Sequence, residues 1–436
     1  MERKPKARGA TDVNDNLTVL QHDTRSSRSH VPPKALTWRK SDRKLVPVAT
    51  HTKSLSPLWI FHSLRNELFD MFLPAGYPAS VTEDYLPFQL WDTCQAMCSY
   101  LRGVLATQSV LESVGVGNET ITPLAAALQW VLRDGSGMLG GLFFAYGVGP
   151  KFDANVKFWR LYADVINDFG LTLDMLAPFF PNYVTQVLCI SSVCKAMCGV
   201  AAGATRSSLT AHFAKQDNMA DIAAKEGSQE TFVTLLGLLF GMYFANAVNQ
   251  SRTSVWLAFF VLTGIHVIAN YKAVTSLEIP TLNQPRAKLA IQHFRANNIH
   301  LLSVREINRR ERIWMYDRNK WSIYMGGPLP HCTLDLVNLL QLYRDEHYIV
   351  TIDAPHQRVV VSLLVSATHQ DQIRAYFNAI VLVEALNDEI QYSLNLLSNV
   401  YTTTVNQVPS FLDTMESLQW KLNSITSDHI RYSFIK

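Results

Sequence analysis

The chain has 436 residues, 48% hydrophobic and 11% aromatic, enough apolar material for two or three domains and too much for a chain disordered throughout. Lys and Arg number 39 against 36 Asp and Glu, a net charge of +3, which argues against a nucleic-acid binder, whose affinity needs clustered cations against phosphates. No apolar segment follows the first charged residues, so no secretory signal is read.

Residues 1–53 carry twelve Lys or Arg and five Asp or Glu, with many Ser and Thr and little periodicity; 1–55 is expected to be a disordered basic arm. It reads either as a solvated tail or as an organelle transit peptide, a pattern that Glu2, Asp12 and Asp15 spoil. An amphipathic segment at 58–72 leads into Leu73-Pro74-Ala75-Gly76-Tyr77-Pro78, where two prolines and a glycine must break any helix. Helical spacing returns from Asp84 to Gly103, with Trp91, Cys94, Cys98 and Leu101 three or four apart. Gly115-Val116-Gly117-Asn118 punctuates it. An apolar run over 124–132 is then interrupted by Arg133-Asp134-Gly135-Ser136 and resumes from Met138 to Val148. Next, the segment 158–168 places Asp164, Asn167 and Asp168 on one helix face, which is expected to be solvated.

The middle of the chain repeats itself. Cys94-Gln95-Ala96-Met97-Cys98 and Ala106-Thr107 return as Cys194-Lys195-Ala196-Met197-Cys198 and Ala204-Thr205, and Arg133-Asp134-Gly135-Ser136 returns as Lys225-Glu226-Gly227-Ser228 before another apolar run. This is read as a tandem duplication with halves at about 90–178 and 186–276. Each half has three apolar helices, 94–111, 124–149 and 158–177, then 186–209, 219–248 and 255–274. Segments such as 232–248, seventeen residues without a charge, sit at the lower edge of what crosses a bilayer. A duplicated unit with an odd number of spans must invert its second copy, as in many transporters. The charged interruptions are either breaks within spans, tolerated only where they line protein or water, or helix ends at which Asp134 and Glu226 favour the positive N-terminus. With six spans, the basic arm and the Arg-rich stretch 286–320 fall on one side of the membrane.

The six cysteines, Cys94, Cys98, Cys189, Cys194, Cys198 and Cys332, include two C-x-x-x-C pairs that stack on one helix face; zinc favours C-x-x-C with a second pair or histidines, so free thiols are expected and no metal site. Past Pro280 the composition changes. Arg286, Arg305, Arg309, Arg310 and Arg312 lie in a polar helical stretch facing a membrane surface or water. Tyr348–Asp353 and Arg358–Leu364 are β-branched runs joined by Ala354-Pro355-His356-Gln357, a hairpin, and a helix follows over 370–386. The fold class is therefore mainly α: a membrane-embedded helical core over 56–280 built from a duplicated three-helix unit, a small α+β domain over 281–386, and a helical tail over 387–436 in which Trp420 packs.

Within this frame the chain resembles the Root UVB Sensitive family. The resemblance is carried by Phe72-Leu73-Pro74-Ala75-Gly76-Tyr77-Pro78, Trp91-Asp92-Thr93, the run Cys98-Ser99-Tyr100-Leu101-Arg102-Gly103-Val104-Leu105-Ala106-Thr107-Gln108, Trp159-Arg160-Leu161, Gly203-Ala204-Thr205-Arg206, Asn218-Met219-Ala220-Asp221, Gly227-Ser228-Gln229-Glu230-Thr231 and Asn270-Tyr271-Lys272-Ala273-Val274. It spans 69–280 strongly and 300–386 faintly. A family Gly-Gly is here Ala202-Gly203, and Gly141 stands where a basic residue is common, which puts a cation's role there in doubt. The resemblance implies a membrane-associated protein whose plant relatives are tied to UV-B tolerance, early seedling growth, auxin distribution and vitamin B6 status. It implies a membrane location, in a plastid or another organelle, with membrane lipid and other family members as partners. It attaches no catalytic mechanism.

The residues add none. No G-x-S-x-G, H-E-x-x-H, Walker or strand-following G-x-G-x-x-G run is present, no enzyme is expected and no cofactor is assigned. Two functions follow: a carrier or binder of a small anionic or zwitterionic metabolite, in which polar residues of both copies converge, or a non-catalytic membrane-anchored interaction protein. The expected ligand lining is Arg133, Asp134 and Ser136 from the first copy with Arg206, Asn218, Asp221, Lys225, Glu226, Ser228 and Gln229 from the second, equivalent hinges that a pseudo-symmetry axis brings together. Their mixed charges suit charge-assisted hydrogen bonds, aided by freed helix N–H groups, and the family resemblance points to a pyridoxal-type ligand. The competing reading makes Arg133–Asp134 and Lys225–Glu226 internal salt bridges.

Overall fold

In the computed structural model, the residues described are 18–21, 34–39, 44–47, 65, 67–115, 123–153, 155–296, 302–314, 320–329, 336–388, 393–422, 425 and 431–433. Gly117, Asn118 and Cys332 lie outside them, as does most of the basic arm. The chain divides into two compact units, 1–85 with 210–236, and 86–209 with 237–436.

The first unit holds a sheet of three antiparallel strands, β1 (Thr18–Gln21), β2 (Lys34–Arg39) and β3 (Lys44–Pro47), in the order β1-β2-β3. This corrects the expectation of an arm without structure. Three patches, Val19-Leu20, Leu36-Thr37-Trp38 and Leu45-Val46, carry the β-forming side chains, and each is too short to register as a period. A helical stretch ends at Phe72, and the turn expected over 73–78 is present, with Gly76 at a φ of +77° that few side chains adopt.

Six long helices follow: α1 (Tyr85–Ser113), α2 (Pro123–Val148), α3 (Val156–Leu176), α4 (Val184–Phe213), α5 (Met219–Val248) and α6 (Arg252–Ser276). Both halves have the same order of three helices. Arg133-Asp134-Gly135-Ser136 lies inside α2 and Lys225-Glu226-Gly227-Ser228 inside α5. Neither motif breaks the backbone or ends a helix, so neither releases N–H groups; a single Gly in a long helix loses about 1 kcal/mol of propensity and does not stop it.

In the second unit the halves exchange partners. A Cβ on Gly137, Gly140 or Gly141 of α2 would meet Ser192, Val193 or Ala196 of α4 at 2.4, 2.7 and 3.3 Å. On Gly237 or Gly241 of α5 it would meet Tyr100 or Val104 of α1 at 2.3 and 3.4 Å. The second helix of each half thus packs through glycines against the first helix of the other, close approach that only a missing side chain allows. In both contacts the numbers rise together, so the pairs are parallel. The third helices run antiparallel, Asp164 with Asn270 and Asp168 with His266. Two copies in the same orientation would give the opposite of all three directions; inverted copies of an up-down-up unit give this set.

The stretch Pro181–Phe213, α5 and α6 are long and apolar enough to cross a membrane. All three belong to the second half. Six apolar helices were expected, three to a copy; among the described residues the first-half helices fall short of that apolarity, α3 carrying Lys157, Arg160, Asp164, Asp168 and Asp174 and α2 its Arg-Asp pair.

The C-terminal part is α+β. α7 (Gln284–Ala296) and α8 (Val304–Arg310) precede β4 (Ser322–Met325), α9 (Leu336–Leu342), the hairpin β5 (Tyr348–Asp353) and β6 (Arg358–Leu364), α10 (His369–Asp388), α11 (Leu394–Ser417) and β7 (Arg431–Tyr432). β5 pairs antiparallel with β6, Val350 opposite Val361, while β4 and β7 lie parallel to β6. Ser303 with Glu306 forms a capping box on α8, two orphan N–H groups satisfied at once. The tail is not separate. Phe411, Met415 and Trp420 belong to the same buried core as Val350, Phe377 and Ile380, and Phe411 stacks edgewise on Phe294 at 5.2 Å, because α11 is amphipathic and must bury its face.

Candidate functional site

Polar residues of both halves meet between α1, α3 and α6. Arg102 of α1 is fully buried, and its Nη1 lies 2.7 Å from Asp168 Oδ1 of α3, an ion pair not aligned as a hydrogen bond. The same nitrogen donates to Thr263 Oγ1 of α6 at 3.3 Å. His266, one turn further along α6 and also fully buried, places Nδ1 3.2 Å from Asp168 Oδ2. One more turn brings Asn270, whose Nδ2 donates to Asp164. At the edge, Arg160 Nη2 donates to Asp92 Oδ1 at 2.7 Å. Helical spacing sets the pattern: Asp164 and Asp168 are four apart, as are His266 and Asn270, so each pair stacks on the face turned to the other helix.

The cluster is not saturated. Arg102 Nε and Nη2, His266 Nε2 and Asn270 Oδ1 are buried without a hydrogen-bond partner, and such groups are costly unless something fills them. A second polar contact ties α3 to α4, where Lys195 Nζ donates to Asp174 and Ser191 Oγ donates to the Gly170 carbonyl at 2.9 Å. The solvated face expected for Asp164 and Asp168 is thereby corrected. Arg102 lies within the Cys98–Gln108 run that carries the family resemblance, and Asn270 opens another such run. Those signals were visible, but their convergence was not.

The ten residues expected to line a ligand site divide between the two units. Among Arg133, Asp134, Ser136 and Arg206, Arg133 packs its guanidinium 4.5 Å from the centre of the Trp130 ring. Ser136 Oγ donates to the carbonyls of Arg133 and Cys189 at 2.7 and 3.3 Å, and Asp134 and Arg206 are exposed. In the other unit, Asp221, Lys225 and Gln229 recur every four residues on one face of α5 and grip the backbone of the turn before α1. Asp221 Oδ2 accepts from Ala75 N at 2.7 Å, Lys225 donates to the Asp70 carbonyl, and Gln229 Nε2 donates to the Phe72 carbonyl at 2.7 Å. Glu226 accepts from Thr210 Oγ1 at 3.4 Å, Ser228 Oγ donates to the Ala224 carbonyl at 3.0 Å, and Asn218 Oδ1 accepts from Gln216 N at 3.4 Å. Neither charged pair closes on itself, since neighbours one apart on a helix do not face each other.

Arg286, expected at a surface, is buried. Its Nε stands 3.5 Å from Glu311 Oε1, and Lys157 Nζ stands 3.1 Å from Glu311 Oε2. Burial pushes the Glu311 carboxyl up, and Arg286, Lys157 and a hydrogen bond from Asn283 outweigh it, so its pKa lies below the ordinary glutamate value. Arg305, by contrast, is exposed and pairs with Glu278 at 2.9 Å.

Two inverted three-helix halves with ionisable groups between them and apolar side chains outside define the class of the helical core. The chain belongs to the Root UVB sensitive family. A family model described as a vitamin B6 photo-protection and homoeostasis domain matches residues 60–298, and one described as the C-terminal region of root UVB sensitive protein matches 300–428, further than the faint resemblance to 386 suggested. Protein root UVB sensitive 3 of Arabidopsis thaliana is 35% identical over 419 residues, covering 90% of this chain and 92% of that one. RUS family member 1 of Dictyostelium discoideum is 42% identical over 251 residues, 57% of this chain and 48% of its own. Protein root UVB sensitive 2, chloroplastic, of Arabidopsis thaliana is 32% identical over 224 residues, 51% of each chain. No solved structure matches.

Proposed function

We propose that this chain is a membrane-embedded carrier, and not an enzyme, for a small anionic or zwitterionic metabolite. The observation that carries the reading is the meeting of Arg102 and Asp168 from one half with Thr263, His266 and Asn270 from its inverted copy, since carrier sites lie where such halves face each other. Ionisable groups inside a helical bundle mark a pathway or a partner site far more often than a structural need. The exterior supports a lipid setting: on α2, Leu142, Phe143 and Tyr146 are 64%, 70% and 90% exposed. The vitamin B6 description of the matching family model makes pyridine vitamers the candidate cargo, and the unpartnered nitrogens of Arg102 suit their phosphate or ring hydroxylate. A plastid or another organelle membrane is the proposed location, in keeping with the relative named chloroplastic, and other family members are proposed partners. The alternative, a non-catalytic membrane-anchored interaction protein, draws on the same exposed α2 face, which also fits a partner helix.

The test is uptake of labelled pyridoxine and pyridoxal 5′-phosphate into vesicles containing the purified chain, wild type against Arg102→Gln. Uptake above protein-free vesicles that Arg102→Gln lowers supports the carrier. No uptake of any vitamer by folded wild type leaves the interaction protein.

A further inference from the structure

The cluster between α1, α3 and α6 does not balance its own charge. Its permanent cations are Arg102 and Arg160, and its acids are Asp92, Asp164 and Asp168, so two guanidinium groups face three carboxyl groups. The other titratable neighbours are the thiols of Cys98 on α1, beside Arg102, and Cys198 on α4, beside Asp164, Arg160 and Asp168, together with His266 on α6. Lys195 and Asp174 neutralise each other one and a half turns away along α3. Arg160 and Asp92 offset each other at the edge; around the buried Arg102, Asp168 and His266 the remaining net negative charge is costly, and one bound proton shared between imidazole and carboxylates removes it. His266 is placed to take that proton: Nδ1 is 3.2 Å from Asp168 Oδ2, while Nε2 is buried with no partner. Imidazole is also the side chain whose charge changes near neutral pH.

We infer that the Asp168–His266 pair binds one proton per transport cycle and so couples the cargo to a proton gradient, an inference that rests on the carrier reading above. Asp168 belongs to the first half and His266 to the second, so any rocking of one half against the other alters their separation and the energy with which the proton is held. The proton arrives from water on one side, sits on the pair, and leaves to water on the other side. No bond to carbon and no electron changes hands.

The experiment separates exchange from accumulation in vesicles holding the full chain, with labelled pyridoxine and pyridoxal 5′-phosphate as probes. Exchange at equal pH on both sides reports the carrier; accumulation under an imposed pH difference reports coupling, and one proton per cargo molecule gives about tenfold accumulation per pH unit. The expected result is that wild type accumulates cargo only with the gradient, while folded His266→Gln exchanges more slowly than wild type, as a residue of the site should, and gains nothing from the gradient. Asp168→Asn is the second variant should the first fail to fold. Wild type that exchanges but is indifferent to the gradient overturns the proton coupling and leaves the carrier standing. Variants that respond to the gradient as wild type does, or that fold and lose exchange altogether, overturn the assignment to this pair. Absence of exchange by wild type with every vitamer instead overturns the carrier reading itself.

Discussion

The helical core and the C-terminal α+β domain partition the same kinds of side chain in opposite ways. In the domain every residue of β5 is buried, and Val350, Phe377 and Phe411 have no exposure at all. In the core the residues with no exposure include Arg102 and His266, while Met242 and Tyr243 of α5 are more than three-quarters exposed. One region hides apolar surface from water, the main favourable term in folding a soluble domain. The other hides ions and offers apolar surface to its surroundings, an arrangement suited to a solvent no more polar than leucine.

That contrast is open to breakage where the regions join. Glu311 is shared by Lys157 at the start of α3 and Arg286 on α7, so Glu311→Ala takes one carboxylate away from two buried cations and is expected to cost roughly 3–5 kcal/mol of unfolding free energy in denaturant. The same group sets a pH dependence. Its folded pKa is depressed, so its contribution is fully present above the unfolded glutamate value of about 4.3 and is lost as pH falls through the lower folded value. Melting temperature should therefore drop in acid for wild type and change less for Glu311→Ala.

Truncating one residue type in the two regions sharpens the comparison. Phe411→Ala empties a site between Phe294 and Phe377 and is expected to cost roughly 3–5 kcal/mol. Gly237→Ala drives a methyl into Tyr100, and the resulting repacking of α5 on α1 should cost about 1–3 kcal/mol, read as a lower melting temperature in detergent. Phe143→Ala, at a site 70% exposed, should change stability in detergent by no more than about 0.5 kcal/mol. A loss as large as that of Phe411→Ala would show that α2 covers its outer face with protein.

The junction also shows why part of the candidate site was illegible. Asp221, Lys225 and Gln229 read as a ligand-binding set because their polarity is a local property, yet they satisfy backbone groups at Asp70, Phe72 and Ala75, about 150 residues earlier. Asp164 and Asp168 read as solvated because a polar helix face usually meets water; only the arrival of α6 turns that face inward. Conversely, the hairpin at 348–364 and the break at 73–78 were plain, because turn chemistry and side-chain alternation act within a few residues.

By itself the sequence determined the six long helices, their grouping into two copies of three, and through that odd number the inversion of the second copy. Those follow from spacing, glycine and proline, and self-similarity, which act along the chain. The tertiary structure alone decided that Arg102 meets Thr263 across 161 residues and that His266 meets Asp168 across 98. Which polar side chains become buried depends on which helices cross, and a crossing is fixed by glycine contacts such as Gly237 on Tyr100, between residues that carry no mark of each other in the chain.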